Sequence, residues 1–144
     1  MFVHTLQVRF RDLDAYNHVN NAVYLTYFEE ARIAFITAIG MRSLFSPERS
    51  TVIAHAEVDY RAPAQLGDQL DIEVTVGEVR NTSYELNYRI VRRSDGRLIA
   101  TGKTVQVCFN FVLNAPTRLP EAWRRLLCNG ASANMAAPST ALNL

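Results

Sequence analysis

One long apolar segment, from about Asn21 to Ile39, constrains the fold more than any other part of the sequence. It contains no proline or glycine, and it is followed by Gly40, a residue type that commonly ends a helix. At about 100° per residue, Thr26, Glu29, Glu30 and Thr37 fall on one narrow polar stripe, and Arg32 is the exception, off to one side. Because a helix that is apolar around most of its circumference has to be buried, this pattern predicts a helix enclosed by the rest of the domain.

Most of the remaining chain shows the period-two alternation of half-buried strands. Short turns at Asn81–Thr82 and Ser94–Gly96 separate consecutive strands, which indicates antiparallel pairing. The predicted strands are Thr5–Arg11, Thr51–Tyr60, Gln69–Val79, Ser83–Arg92 and Leu98–Leu113. The predicted fold class is α+β, with a long curved antiparallel sheet of about five strands wrapped around one central apolar helix.

The first and last strands also predict which side chains share a face. In the first strand, Leu6, Val8 and Phe10 alternate with polar residues and are expected to point together. An unpaired edge on such a sheet invites pairing with a second copy, so we expect at least a dimer. In the last strand, the residues expected on one side are Val105, Val107, Phe109 and Phe111.

The length of 144 residues, without an internal repeat, predicts a single domain. We place this domain at residues 1–128 and expect a short helical turn over Pro120–Leu127. Residues 129–144 are small, polar and proline-containing, so we expect them to form a flexible C-terminal tail.

Composition excludes several classes of protein. With 15 basic and 14 acidic residues, the net charge of +1 gives no electrostatic footprint for nucleic acid or an anionic membrane. The sequence has no run of roughly 20 apolar residues and no signal-peptide pattern at MFVHTLQVRF, so we expect no membrane insertion. Two cysteines, Cys108 and Cys128, cannot form a metal site by themselves and favour a reducing compartment, so we expect a cytoplasmic protein.

The polar loop from Asp12 to Asn20 precedes the predicted helix and carries most of the candidate functional side chains. Asp14 is either a catalytic carboxylate or the cap of a turn, which is a common role for aspartate. Asn20 or Asn21 can cap the helix, and free backbone N–H groups at that end would polarise a carbonyl. His18 titrates near neutral pH and can act as a base or a hydrogen-bond donor.

Three motifs carry a resemblance to a known family: DLDAYNHVNN at residues 12–21, FEEAR at residues 28–32, and VDYRAPAQLGDQLDIEV at residues 58–74. Over roughly Leu6 to Leu127 the chain resembles the hotdog-fold acyl-CoA thioesterases of the 4-hydroxybenzoyl-CoA thioesterase family. The resemblance implies hydrolysis of an acyl thioester without a metal or cofactor, coenzyme A being part of the substrate. It also implies a homodimer or homotetramer with active sites between subunits.

The resemblance further assigns roles in the loop. Asp14 matches the catalytic acid of the family, and Asp12 resembles its supporting acid, although a salt bridge with Arg9 or Arg11 explains Asp12 equally well. The backbone near Asn21 and Ala22 is the expected oxyanion site, with Asn20 as its support.

The role of His18 stays open at this point. Plant acyl-carrier-protein thioesterases resemble this loop and carry Asp, Asn and His at matching spacing. Here Tyr16 stands in place of the Asn, and Pro63 falls where those enzymes have a further acid. His18 is therefore either catalytic or structural.

Substrate-binding residues are expected on three other segments. By resemblance, His55 lies on the strand that approaches the thioester from the partner subunit, and the turn between the third and fourth strands holds coenzyme A. An apolar slot for the acyl group is expected along one side of the helix at Tyr24, Tyr27, Phe28 and Ala31, although core packing explains these residues equally well. The candidate substrate-binding residues are His55, Tyr24, Arg61, Arg80, Thr82 and Ser83.

Two other functions remain as alternatives to acyl-CoA hydrolysis. One is hydrolysis of thioesters on acyl carrier protein, which differs only in the partner that carries the acyl group. The other is a non-catalytic module that binds acyl groups and has kept the fold.

Overall fold

The computed structural model describes residues 1–132 and 135–136. Two α-helices are present in this part of the chain, α1 over Val23–Ala38 and α2 over Glu121–Ser132. Short 3₁₀ turns lie at Phe10–Asp12 and Arg42–Leu44. No helix among the described residues is long and apolar enough to cross a membrane.

A curved sheet packs against α1. Its strands run in the order β2-β5-β4-β3-β1-β7, with β6 beside β5, and every pair is antiparallel except β1 with β7. Five long strands wrapped around one apolar helix match the predicted hotdog fold, which is confirmed. The strand bounds are β1 Phe2–Gln7, β2 Ser50–Tyr60, β3 Gln69–Val79, β4 Ser83–Arg92, β5 Leu98–Asn110, β6 Ala115–Pro116 and β7 Met135–Ala136.

The helix approaches the sheet most closely at Phe28. The Phe28 ring stacks on the ring of Tyr88, with 4.3 Å between centroids and an interplanar angle of 11°. Gly102 pairs with Tyr88 on the neighbouring strand, and a methyl group added at Gly102 would overlap the Phe28 ring. The inner face of β5 therefore has no room for a side chain at this position.

Within β5, Val105, Val107 and Phe109 share one side as predicted, but this side is the half-exposed one, and the strand ends at Asn110, before Phe111. The buried residues of this strand include Thr104, Gln106 and Cys108, whereas Val105 and Val107 lie on the opposite, half-exposed face. Close approach of α1 favours small or hydrogen-bonded side chains on the inner face. Thr104 bonds to the Tyr88 hydroxyl at 2.7 Å, and the Gln106 amide donates to the Tyr84 carbonyl at 3.1 Å.

The first strand also differs from the prediction. It begins at Phe2 and ends at Gln7, and Phe10 is 79% exposed although Leu6 and Val8 are buried. The reason is that the Asp12 side chain accepts a hydrogen bond from the Arg9 backbone, which folds residues 10–12 into a 3₁₀ turn.

The C-terminal part of the domain is more ordered than expected. The predicted short turn is a full helix, α2, which continues through residues 129–132, beyond the predicted domain boundary. Trp123 and Leu127 of this helix are buried, and Met135–Ala136 pairs with β1. Residues 133–134 and 137–144 of the predicted tail lie outside the described residues.

One side of α1 remains uncovered in the single chain. Leu25 and Ile33 are 43% and 38% exposed on this side, whereas Tyr27, Phe28 and Ala31 are fully buried on the other. The inner face of the neighbouring edge strand β2 is also exposed at Ala56. The enclosure predicted for the helix is thus incomplete next to β2.

Replacing Gly102 with alanine should destabilise the fold by about 1–3 kcal/mol, the usual cost of overpacking a core. The added methyl group would meet the Phe28 ring and, at 2.7 Å, the backbone oxygen of Glu57, which cannot move away cheaply. Gly77→Ala is the matched control, because its nearest neighbour is the side-chain amide of Asn87. Urea denaturation measures both, and equal losses in the two variants would contradict this account.

Candidate active site

The loop before α1 is fixed to the helix by the buried carboxylate of Asp12. The Arg9 backbone N–H and the Tyr27 hydroxyl both donate to its Oδ2, at 3.0 and 2.8 Å. The carbonyl of Asp12 accepts the backbone N–H of Asn20 at 2.9 Å, which holds the two ends of the loop together. Burial and the bond to Asp12 raise the pKa of Tyr27 well above its usual value, so its hydroxyl stays a donor. Asp12 thus supports the loop, and its pairing with Arg9 also occurs.

Asp14 uses one carboxylate oxygen to shape the loop. Its Oδ1 accepts the backbone N–H groups of Tyr16 and His18, at 2.8 and 3.3 Å, and its own N–H donates to the His18 carbonyl at 2.8 Å. Asn17 closes this turn with a φ of 63°, in the left-handed region that Asn tolerates. The other oxygen, Oδ2, has no hydrogen bond or ion pair within the described residues. Asp14 therefore caps a turn and still presents one unpaired carboxylate oxygen.

Hydrogen bonds just before α1 use the backbone donors of Ala22 and Val23 but not that of Asn21. The Asn20 side-chain oxygen accepts the N–H of Ala22 at 2.9 Å, and the Asn20 carbonyl accepts that of Val23 at 2.9 Å. The N–H of Asn21 makes no hydrogen bond to any residue that the structure describes. Of the two predicted oxyanion donors, Ala22 is therefore occupied and Asn21 is available.

Asp14, His18 and Asn21 line one cavity of about 380 Å³, and Tyr24, Tyr60 and Arg61 also contribute to its wall. Burial raises the pKa of Tyr24 to about 12, so its hydroxyl remains protonated at neutral pH.

Tyr60 is a wall residue that the sequence alone did not single out. Its hydroxyl donates to the Asn21 carbonyl at 2.7 Å, and its ring packs edge-on against Tyr24 with centroids 5.4 Å apart. Tyr60 thereby joins the end of β2 to the start of α1. The sequence signal that could have identified Tyr60 is its position in the VDYR motif, at the end of a strand.

Four predicted substrate-binding residues lie away from this cavity in the single chain. Arg80, Thr82 and Ser83 are at the turn between β3 and β4, whereas the loop lies near the other end of both strands. Arg80 is already paired with Glu78 and Glu85, at 2.8 and 3.2 Å. His55 is exposed on β2 and bonds to Glu57 at 3.1 Å. These residues can reach the cavity only if they come from a second copy of the chain.

The predicted acyl slot on α1 is mostly core. Tyr27, Phe28 and Ala31 are fully buried, so of the four residues considered only Tyr24 borders the cavity. Among the described residues, no three His, Cys, Asp or Glu side chains are grouped so that they could hold a metal ion. A reaction without metal stays a prediction.

The family follows from comparison with known proteins. Residues 8–127 match the family model described as the thioesterase-like superfamily. The chain belongs to this superfamily. The predicted family and the enzyme class, thioester hydrolase, are thereby confirmed.

Individual relatives share most of their length with the chain. A 1,4-dihydroxy-2-naphthoyl-CoA hydrolase of Synechococcus elongatus is 34% identical over 118 residues, which cover 79% of this chain and 85% of the relative. The acyl-CoA thioester hydrolase YbgC of Escherichia coli is 27% identical over 124 residues, covering 85% and 92%. A thioesterase from Thermus thermophilus, solved in complex with coenzyme A and zinc, is 32% identical with a TM-score of 0.79, covering 92% and 95%.

Proposed function

We propose that this protein hydrolyses acyl-CoA thioesters to the free acid and coenzyme A. The observation that carries the proposal is the pairing, in one cavity, of an unpaired carboxylate oxygen on Asp14 with the unused backbone N–H of Asn21. Thioester hydrolysis needs both a carboxylate and a donor for the developing oxyanion. The relatives named as CoA thioester hydrolases support coenzyme A as the carrier of the acyl group.

In the proposed mechanism, the thioester carbonyl oxygen accepts the N–H of Asn21. The start of α1 contributes its positive dipole end to the same oxygen, so charge that develops there is stabilised. Asp14 Oδ2 either takes a proton from the attacking water or attacks the carbonyl carbon itself. His18 lies in the same cavity and can supply the proton that the leaving thiolate takes up.

The acyl group is proposed to lie against Tyr24 and Tyr60. Their rings contribute to the apolar part of the cavity wall, together with Val19, Ala62 and Pro63. Aromatic rings prefer offset or edge-on partners, which a flat aromatic acyl group can provide. An aromatic acyl-CoA is therefore the first substrate class to test, and the name of the Synechococcus relative agrees with this choice.

A thiol-release screen tests the function directly. It should compare aromatic and aliphatic acyl-CoA thioesters with the same acyl groups on acyl carrier protein. We expect turnover of aromatic acyl-CoA, with slower release from the carrier. Faster release from the carrier would favour the first alternative function. Tight acyl-CoA binding without turnover across the panel would favour the non-catalytic one.

Replacing Asp14 with asparagine should lower kcat at least about a hundredfold, the lower range for loss of acid–base catalysis. The asparagine side-chain oxygen can still accept the Tyr16 and His18 N–H groups, so the loop and the melting temperature should be unchanged. Thr75→Asn, on an exposed part of β3, is a control that should keep full activity. Retained turnover in Asp14→Asn would refute the role of Asp14.

We also propose that the active unit is a dimer joined through β2. This strand is an edge of the sheet over its 11 residues, and Ile33 on the exposed side of α1 lines one cavity with Thr51 and Ile53 of this strand. Two-fold antiparallel pairing of β2 would place the start of one strand next to the end of its copy. It would bring the β3–β4 turn of one copy, with Arg80, Thr82 and Ser83, toward the other cavity.

A charge at the centre of β2 should separate the dimer. In Ala56→Glu the new carboxylate would lie near its own copy across the two-fold axis, and like charges that face each other on paired strands repel. Light scattering should show a dimer for the native chain and for Thr75→Glu, and a monomer for Ala56→Glu. The rate of acyl-CoA hydrolysis should fall in Ala56→Glu, because this variant no longer forms the dimer. A native chain that is a fully active monomer would refute the shared site.

A further inference from the structure

A second cavity adjoins the one that is lined by Asp14. We call it the hairpin cavity, because one side of it is the turn between β4 and β5. Its volume is about 350 Å³, within the usual range of roughly 300–1,000 Å³ for small-molecule sites. Ala62 and Pro63 line both cavities, so these two residues form a shared wall. The other lining residues of the hairpin cavity are all polar: Gln65, Asp68, Arg92, Ser94 and Arg97.

The shared wall is held by hydrogen bonds on both of its sides. Toward the loop before α1, the Val19 N–H donates to the Ala64 carbonyl at 2.9 Å. Toward the sheet, the Arg92 guanidinium donates to the Pro63 carbonyl at 3.2 Å. The two cavities therefore keep a fixed position relative to each other, and a ligand can extend from one into the other.

The hairpin cavity extends away from the edge through which we propose that two copies pair. The shared wall follows β2, whereas Arg92 is the last residue of β4 and Ser94 lies in the turn after it. In the sheet, β5 separates β4 from the edge strand β2. Pairing of two β2 strands adds the second copy on the side of β2 that faces away from β5 and β4.

Arg97 is a cation that the chain itself does not use. Within the described residues, its guanidinium makes no hydrogen bond or ion pair. The two nearby carboxylates, Asp68 and Asp95, are both paired with Arg92, at 3.5 and 2.9 Å. Arg97 is therefore available to an anionic group from outside the chain.

We infer that the hairpin cavity binds the polar arm of coenzyme A in the same chain as Asp14, with Arg97 against the phosphates of the nucleotide. The inference rests on the proposed hydrolysis of acyl-CoA. With the acyl group against Tyr24 and Tyr60, the other end of the thioester needs a separate path out of the first cavity. The shared wall leads from that cavity to the hairpin cavity.

The polar groups of the hairpin cavity suit this arm. Its pantetheine part carries amide and hydroxyl groups, and the side chains of Ser94 and Gln65 make no hydrogen bond to any described residue. Arginine binds phosphate through two parallel hydrogen bonds. By contrast, Arg80, on the turn that the resemblance assigns to coenzyme A, is already paired with Glu78 and Glu85. The hairpin cavity thus offers the freer cation.

Isothermal titration calorimetry with coenzyme A tests the inference without hydrolysis. Coenzyme A should bind the native chain, and Arg97→Gln should weaken this binding about fivefold, the effect of one charge-assisted contact at a partly exposed site. Pantetheine, which lacks the nucleotide phosphates, should bind both proteins equally. The inference would be overturned by no binding of coenzyme A, by equal affinity of the two proteins for it, or by an equal loss for pantetheine.

Two further variants are the controls for charge and for place. Arg89→Gln removes the same charge from an exposed position in β4, where Arg89 pairs with Glu73, and it should bind coenzyme A like the native chain. An equal loss in Arg89→Gln would mean that only the overall charge matters. A loss in Arg80→Gln without one in Arg97→Gln would place the phosphates at the β3–β4 turn, and either result would contradict the inference. These arginines are exposed, so the melting temperatures should not change.

Mixed dimers decide whether Arg97 acts in the same chain as Asp14. A dimer of one Asp14→Asn copy and one Arg97→Gln copy can be isolated with two different affinity tags. In the same-chain arrangement, the copy that keeps Asp14 lacks Arg97, so the KM for acyl-CoA should be raised as in Arg97→Gln itself. A native KM would mean that Arg97 serves the site of the other copy, and the same-chain arrangement would be wrong.

Failure of the proposed function gives a different result from failure of this inference. A native chain that binds coenzyme A through Arg97 but hydrolyses no acyl-CoA would refute the proposed function and still support the binding site. A native chain that hydrolyses acyl-CoA with the same KM as Arg97→Gln would support the function and overturn the binding site.

Discussion

The buried carboxylate of Asp12 is the interaction on which the geometry of the candidate site depends. It accepts hydrogen bonds from the Arg9 backbone and the Tyr27 hydroxyl, and thus joins the segment just after β1 to the N-terminal part of α1. Its own carbonyl holds Asn20, whose side chain orders the first residues before the helix. Removing the Asp12 carboxylate would leave the Arg9 N–H and the Tyr27 hydroxyl without their acceptor. This costs more free energy than the loss of a single hydrogen bond. The position of Asp14 relative to Asn21 follows from this arrangement.

Sequence reasoning predicted the fold well where periodicity and turn residues agree. The bounds of β3 and β4 match the prediction, and α1 begins two residues later than predicted and ends one residue earlier. It failed where tertiary contacts override the pattern. Phe10 alternates correctly for a strand, but the Asp12 side chain turns the chain before it. On β5, proximity to Phe28 places Gly102, Thr104 and Gln106 on the inner face, and the alternation of apolar residues in the sequence does not reveal this.

The candidate site was predicted in part for the same reason. Residues close together in sequence, such as Asp14, His18 and Asn21, do line one cavity. Tyr60 was missed because its hydrogen-bond partner, the Asn21 carbonyl, is 39 residues away, and no local pattern reveals such a contact. Arg80, Thr82 and Ser83 were assigned by resemblance alone. An 11-residue strand separates them from the loop within one chain, so they depend on a partner copy.

The stack of Phe28 on Tyr88 over Gly102 also limits the path that a bound acyl group can take. Even one methyl group does not fit between α1 and the sheet at this point, so no acyl chain can pass beneath the helix toward β4. A thioester held at Asn21 would therefore direct its acyl group away from this stack, past Tyr24 and Tyr60 and along the exposed side of α1 at Leu25. Differences in the preferred length of the acyl chain within this fold would then arise from the side chains that border this path. The buried core would not affect this preference.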